Sequence, residues 1–385
     1  MGLSCGIVGV PNAGKSTIFN ALTCANAQTA SYPFTTIEPN TGIVEVPDER
    51  LTKLARIIKP ERIIPATLKF IDIAGLVKGA SKGEGLGNRF LAHIREVDAI
   101  VHVVRCFERK DVSHVFGDVD PKRDIETVNL ELLLADLETV EKRLSKAEKA
   151  AKSGSKEARL ELEFFGRLKE HLARGNPVRT LLTKGEEEER ILGELNLLTK
   201  KPVLYVANLE DVHEPLRPFD KTQGSGQAQS NEGQLNEINL VEIVEGVSRE
   251  ESGEFIKIYG KLEAELAELP EDERGAFLED LGFKESGLDR LIKAAYRLLG
   301  LITFYTTNGI ELRAWTVGKD TKAPKAAGKI HTDFERGFIR AEVISFEDYV
   351  GAGSEASARE KGVLRIEGKD YKIRDGDVVY FKFNV

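Results

Sequence analysis

An α/β domain on a parallel sheet, broken by a helical hairpin and followed by a small α+β domain, is the architecture this sequence predicts. Three observations carry it. A glycine loop, Gly9-Val-Pro-Asn-Ala-Gly-Lys-Ser16, lies between an apolar stretch and a helix-like run. An apolar series from Leu133 to Ala151, stepping by four and three, interrupts the alternation of strands and helices. From Ile302 onward, β-rich segments separated by turn signals take over.

The loop comes first along the chain and says most. Ile7, Val8 and Val10 read as a strand, and Thr17, Ile18, Phe19, Asn20, Ala21 and Leu22 as a helix. Strand, glycine loop and helix in that order form the context of a phosphate-binding loop of the G-x-x-x-x-G-K-S type. Glycines let backbone N–H groups converge on phosphate oxygens, and the helix N-terminus adds partial positive charge. Asn12, Ala13, Gly14, Lys15, Ser16 and Thr17 form the expected phosphate-binding set. Lys15 reaches toward the β- and γ-phosphates as a catalytic cation, and the Ser16 hydroxyl is suited to ligate Mg²⁺.

Ala30 to Gly42 holds two prolines and reads as a loop, in which Thr36 is a candidate switch residue and metal ligand. Strand-like runs follow at Ile43–Val46 and Thr67–Ile73. The second ends in Asp72-Ile-Ala-Gly75, placed for Asp72 to join the Mg²⁺ shell and for the Gly75 N–H to meet a γ-phosphate. Loss of that phosphate would free the glycine-rich segment 79–87, an order–disorder switch. A helix is expected over Asn88 to Val97 and a buried parallel strand at Ala99–Val104.

Leu133, Leu137, Val140, Leu144, Ala147 and Ala151 have the spacing of a coiled-coil seam. Ser153-Gly-Ser-Lys156 breaks it, and Ala158, Leu162, Phe165, Leu168 and Leu172 continue as a second helix. The pair reads as an inserted antiparallel hairpin, either a structural arm or a surface for a partner. Strands resume at Pro202–Ala207 and Glu254–Tyr259, with the polar stretch Lys221–Gln234 between them expected as loop. Helix is expected over 261–300, then strands at Ala314–Val317, Phe338–Ile344, Val363–Ile366, Tyr371–Ile373 and Val378–Phe383.

Strand 202–207 runs into Asn208-Leu-Glu-Asp211, where GTPases of this type carry Asn-Lys-x-Asp to read guanine. An aspartate offers only acceptors, which suits the guanine N1–H and N2–H₂ donors. The Asn208 amide, with donor and acceptor, matches adenine N6 and N7, while Leu209 offers apolar packing to the purine. Tyr259-Gly-Lys-Leu-Glu263, with Gly260 and Lys261, takes the place of the loop that backs the base. Leu76 follows Gly75 where many small GTPases have glutamine, and an aliphatic side chain cannot orient water. Among nearby histidines, His102 sits mid-strand and His93 on a helix. His114 follows strand 99–104 on the loop side where open α/β sheets bind ligands, and is the candidate to position the attacking water.

Composition frames these readings. At 385 residues the chain suggests about two or three domains. A composition 41% hydrophobic and 31% charged fits a globular protein with a core. No membrane-spanning run is present, and no signal peptide is expected before the first strand. Three cysteines without metal-like spacing fit reduced thiols and a cytoplasmic location. A net charge of −8 argues against a generally basic surface, and no DNA partner is expected. A local cluster, Lys319, Lys322, Lys325 and Lys329, is still placed to meet RNA phosphates.

Three stretches carry a family resemblance: Tyr32-Pro-Phe-Thr-Thr-Ile-Glu-Pro-Asn40, Asp72-Ile-Ala-Gly-Leu-Val-Lys-Gly-Ala80 and Gly83-Glu-Gly-Leu-Gly-Asn88. They resemble the Obg-related GTPases and, more narrowly, the YchF or Obg-like ATPase family. Ala327–Ala341 and the ending Asp375–Val385 are similar to its TGS domain. The resemblance spans essentially the whole chain. It implies a P-loop NTPase domain over 1–124 and 200–301, a coiled-coil arm over 125–199 and a ubiquitin-like, β-grasp TGS domain over 302–385. It also implies Mg²⁺-dependent hydrolysis of ATP in preference to GTP and association with ribosomes or ribosomal RNA. One position departs: the family usually has glutamate where Asp211 stands, which partly restores the guanine-reading pattern. An Obg-type GTPase and a nucleotide-gated binding module with negligible hydrolysis are the alternatives.

Overall fold

The computed structural model describes residues 3–27, 40–74, 86–109, 114–152, 155–210 and 226–384. Contacts divide the chain into two compact units, Met1–Gly42 with Lys69–Leu291, and Ile43–Leu68 with Ile292–Val385. The chain opens with β1 (Ser4–Val8), α1 (Lys15–Ala27), β2 (Thr41–Glu45), α2 (Glu49–Ile58), β3 (Arg62–Ile64), β4 (Thr67–Asp72), α3 (Leu86–Glu96) and β5 (Ala99–Arg105). It continues through α4 (Pro121–Ala151), α5 (Lys156–Ala173), α6 (Glu186–Glu194), β6 (Val203–Leu209), α7 (Gly226–Glu250), β7 (Glu254–Tyr259), α8 (Gly260–Glu268) and α9 (Glu271–Asp280).

One six-stranded sheet has the strand order β2-β4-β1-β5-β6-β7. β1 pairs in parallel with both β4 and β5, and β5–β6 and β6–β7 are parallel too. Every residue of β1, β5 and β6 is buried, as expected for strands covered on both faces. The order switches direction at β1, so ligands are expected beyond the carboxyl end of that strand. The glycine loop lies there.

α4 starts where Asp120 accepts from the Arg123 N–H and Pro121 occupies the first turn. Leu133, Val140 and Ala147 of α4 share a buried cluster with Phe165, Leu168 and Leu172 of α5 and Ile191 and Leu192 of α6. Leu137, Leu144 and Leu162 pack against it half-buried. α7 corrects one expectation, because helix begins at Gly226 inside the stretch read as loop. The polar first half has no apolar period to announce it. Val241 and Val244, buried in the second half, anchor the helix. No helix among the described residues is long and apolar enough to cross a membrane.

α10 (Gly287–Leu298) leads into the second unit. There follow β8 (Leu301–Thr307), β9 (Glu311–Gly318), α11 (Ala323–Ile330), α12 (Thr332–Arg336), β10 (Phe338–Ile344), α13 (Phe346–Ala352), α14 (Glu355–Glu360), β11 (Arg365–Glu367) and β12 (Val378–Phe383). The sheet order is β11-β10-β12-β8-β9-β3. Phe304, Val317, Phe338, Val343 and Val379 form its core with Ala323, Ala326 and Ala327 of α11. Residues 43–68 belong here because β3 adds in parallel to β9, with Arg62 opposite Glu311. Arg50 grips Asp375 through both terminal nitrogens (2.8 and 3.2 Å), and the Tyr305 hydroxyl donates to Asp48. The contact division therefore runs differently from the boundaries read in the sequence, and it leaves 125–199 with the first unit. The strand expected at Tyr371–Ile373 is only a single bridge between Lys372 and Lys322. The Tyr371 carbonyl instead accepts from the Ala323 N–H at the start of α11, and the Ile373 N–H donates to the Thr321 carbonyl just before it.

His102 of β5 is a core residue, 2% exposed, with its ring 5.4 Å from that of Tyr205. Burial, reinforced by Arg179 and Lys15, pushes its pKa down to about 3 from an ordinary 6.5. The unfolded chain therefore binds a proton below about 6.5 that the folded chain refuses, so stability is full above that pH and falls as pH drops. Between about pH 6.5 and pH 5.5 the loss is about 1 kcal/mol. His102→Leu is expected to lose that much less than the wild type in urea midpoints converted to free energy across this window.

Candidate functional site

The site grows from the loop after β1. Gly9 (φ +151°) passes so close to β5 that a Cβ there would lie 2.3 Å from the Val103 carbonyl oxygen. Gly14 (φ +96°) faces the Asn208 amide, where a Cβ would lie 2.1 Å from Nδ2. Between them the loop turns on the Val10 carbonyl, which accepts from the Ala13 N–H (3.4 Å) and the Lys15 ammonium (2.8 Å). Ala13 and Lys15 are buried, whereas Asn12, Ser16 and Thr17 are exposed. Lys15 is 7% exposed, and burial pulls its pKa down to about 8 while Asp72 pulls the other way. A desolvated ammonium whose partner among the described residues is a neutral carbonyl favours an incoming polyanion.

At the end of β4, Asp72 Oδ2 accepts from the Ser16 hydroxyl at 3.0 Å. Its Oδ1 is a buried atom with no hydrogen-bond partner among the described residues. An orphaned carboxylate oxygen beside a serine hydroxyl is a hard-oxygen donor set, and it fits Mg²⁺. The other expected metal ligand, Thr36, lies outside the described residues, as do Gly75 and Asp211.

Asn208 ends β6 with its side chain 4% exposed, and its amide is in use at both ends. Nδ2 donates to the Ala13 carbonyl at 3.0 Å, and Oδ1 accepts from the Gly260 N–H at 3.0 Å. This corrects the two-point reading of adenine expected of that amide. The acceptor is committed to Gly260, and Nδ2 keeps one N–H at most for a base, which matches N7, an atom adenine and guanine share. Leu209 is likewise buried, at 5% exposure, and pairs across to Tyr259. Gly260 and Lys261 form the first turn of α8 and not a loop, with Lys261 exposed. Glu210 forms an ion pair with Arg109 (3.3 Å), linking the segments after β6 and β5.

His114 also stands differently from its expected exposure to the ligand. Its side chain and that of Asp124 are each 2% exposed, with Nε2 and Oδ2 2.9 Å apart. Nδ1 accepts from the Phe116 N–H at 3.2 Å. In this arrangement neither ring nitrogen is available to water. Asp124, on the first turn of α4, is the residue the sequence reading missed. It lies ten residues from His114, and its only local signal is a carboxylate just inside a helix N-terminus. In the second unit, Lys322 pairs with Asp370 (2.7 Å) and Lys325 with Glu335 (2.5 Å), which spends two of the four clustered lysines.

A loop that curls around its own buried lysine, next to a serine–aspartate oxygen pair at the end of a neighbouring parallel strand, places the chain among the P-loop nucleoside triphosphatases. Residues 4–149 match the family model described as a 50S ribosome-binding GTPase. Residues 301–384 match the YchF-GTPase_C model, described as a protein of unknown function. The chain belongs to the YchF family. It is 51% identical over 387 residues to the ribosome-binding ATPase YchF of Bacillus subtilis, covering 100% of each, and 48% identical to that of Escherichia coli O157:H7 at the same coverage. The solved YchF GTPase of Schizosaccharomyces pombe is 35% identical, with a TM-score of 0.82 over 99% of this chain and 97% of that one.

Proposed function

We propose that this protein is a Mg²⁺-dependent ATPase that uses nucleotide state to control its association with the ribosome. The observation that supports it most is Asp72, whose buried Oδ1 lacks a partner among the described residues while Oδ2 holds the Ser16 hydroxyl. Ser16, Asp72 and Thr36 would hold the cation. When bound, Mg²⁺ supplies positive charge to the β- and γ-phosphate oxygens as charge shifts during cleavage.

The chain's own residues do the rest. Lys15 faces the same oxygens with a desolvated ammonium, and the N–H groups of residues 12–17 orient the phosphate chain. His114 positions the attacking water once its ring leaves its contacts with Asp124 and the Phe116 N–H, since Leu76 has no polar atom to do so. Gly75 senses the γ-phosphate, and its loss releases the segments holding Thr36 and Gly75. Purine choice passes to residues 209–211 and to Lys261, because Asn208 is committed to backbone. ATP is favoured over GTP because Leu209 replaces the lysine of the guanine-reading motif. Asp211 is the counterweight that keeps a GTPase as the second reading.

Further along the chain, α4 and α5 are read as a coiled-coil arm and residues 302–385 as a TGS domain. Both are offered as surfaces for a ribosome, and the location is cytoplasmic. The relatives named as ribosome-binding ATPases support the partner.

Competition of ATP against GTP, followed by single-turnover hydrolysis with and without ribosomes, tests the reading. Tighter binding of ATP, slow turnover alone and faster turnover with ribosomes are expected. Tighter GTP binding makes the protein a GTPase, and ATP held unchanged under both conditions makes it a gated binding module.

A further inference from the structure

α4 has two functions in the first unit. Its 31 residues extend about 46 Å, and its later turns build the hydrophobic cluster shared with α5 and α6. Its first turn carries Asp124, the partner of His114. Between these points α4 is fixed to the sheet. Asn129 Nδ2 donates to Glu251 at 2.7 Å, and the buried Asp136 accepts from the Leu198 and Thr199 N–H groups just before β6, at 2.8 Å each. These contacts make the middle of α4 a pivot, so a tilt of the distal helices is carried to the first turn of the same helix.

The contact at that turn withholds His114. With Nδ1 accepting from Phe116, the ring proton sits on Nε2 and is donated to Asp124. Phe116 lies beside the imidazole, ring centres 6.0 Å apart, and the Arg123 guanidinium covers Phe116 at 4.9 Å. The imidazole is shut in from that side. The pair is also incompletely satisfied. Asp124 Oδ1 is buried without a hydrogen-bond partner among the described residues, and Arg123 Nε stops 4.0 Å from it. Burial accordingly raises the Asp124 pKa, against the pull of His114 and Arg123. A buried polar contact with an orphan oxygen is costly to keep closed and favours an alternative once the helix moves.

We propose that Asp124 is a positioning residue that parks His114 away from the nucleotide, and that movement of α4, the root of the helical arm, releases it. Partner binding on the arm thereby sets the rate of hydrolysis. The proposal rests on the reading of His114 as the group that positions water.

The test uses the full-length protein with His114→Ala, Asp124→Ala and the double substitution. Asp124→Ala is expected to raise kcat without ribosomes about tenfold, as when a competent state is about 10% populated, with KM for ATP unchanged. Ribosomes should then add little, and the double variant should fall to the His114→Ala rate. A folded Asp124→Ala protein at or below the wild-type rate, alongside a slow His114→Ala, overturns the latch and leaves the water-positioning reading standing. His114→Ala with wild-type turnover removes that reading, and the latch with it. Carbethoxylation of histidines in the wild-type protein decides the matter even if Asp124→Ala does not fold. His114 should be as protected as the buried His102 in the protein alone, and become reactive with ribosomes and a non-hydrolysable ATP analogue. Continued protection of His114 while ribosomes accelerate turnover would overturn the proposal.

Discussion

Lys15→Met is expected to lower single-turnover hydrolysis by about 10²–10³-fold, the cost of removing one preorganised charge from a developing oxyanion. The same substitution should leave the nucleotide-free protein at least as stable as the wild type. Nζ is buried with the Val10 carbonyl as its hydrogen-bond partner, and that carbonyl also accepts from the Ala13 N–H, so a neutral side chain of similar length leaves no orphan there. The linkage has a definite sign. The Lys15 pKa falls from 10.5 to about 8 on folding, so the unfolded chain binds the proton more tightly. Below about pH 8 the folded protein carries the full penalty of a buried cation, up to about 3 kcal/mol. Methionine removes that penalty. Calorimetric melting at neutral pH without nucleotide should show an unchanged or higher Tm, and added ATP, which raises the wild-type Tm, should raise the variant's much less. A large drop in Tm would instead make Lys15 a structural residue of the loop. The trade of stability for function is what a binding charge in a dry site entails.

The loop was legible because its chemistry is local. Eight consecutive residues contain the glycines, the lysine and the hydroxyl, and the flanking apolar runs place them between a strand and a helix. The α4 seam was legible for a similar reason: of the positions read at steps of four and three, Leu133, Val140 and Ala147 share the cluster with α5 and Leu137 and Leu144 pack against it, while Ala151 lies outside it. What escaped was non-local or unpatterned. Nothing near Arg62 shows that it pairs beside Glu311, so the transfer of residues 43–68 to the second unit had no sequence signal. The first half of α7 is mostly polar, without an apolar period, and the helix is anchored where its other half buries Val241 and Val244. His114 was singled out by position, but its partner lies across a turn and its second anchor is a backbone N–H, which has no sequence identity.

Asn208 is the clearest case of a residue found for one reason and used for another. Its partners are the backbones of Ala13 and Gly260, 195 and 52 residues away. Asn208→Ala leaves a buried carbonyl and a buried N–H without partners, at about 1–3 kcal/mol each. It also withdraws the amide against which Gly14 packs. The expected loss is therefore about 2–6 kcal/mol of unfolding free energy in urea, together with about a 10–100-fold rise in Kd for nucleotide as the phosphate loop loses its brace. The two purines tell the roles apart. A brace acts on phosphates, which ATP and GTP share, so both Kd values should rise by the same factor and their ratio should stay fixed. A two-point adenine reader would weaken ATP alone. Asn208→Asp sharpens the comparison. One oxygen keeps the Gly260 N–H, while the other meets the Ala13 carbonyl acceptor to acceptor, so the damage should concentrate at the loop. Equal weakening of ATP and GTP by Asn208→Asp, measured by titration with fluorescent analogues, is the expected result. A selective loss of ATP would return the amide to the base.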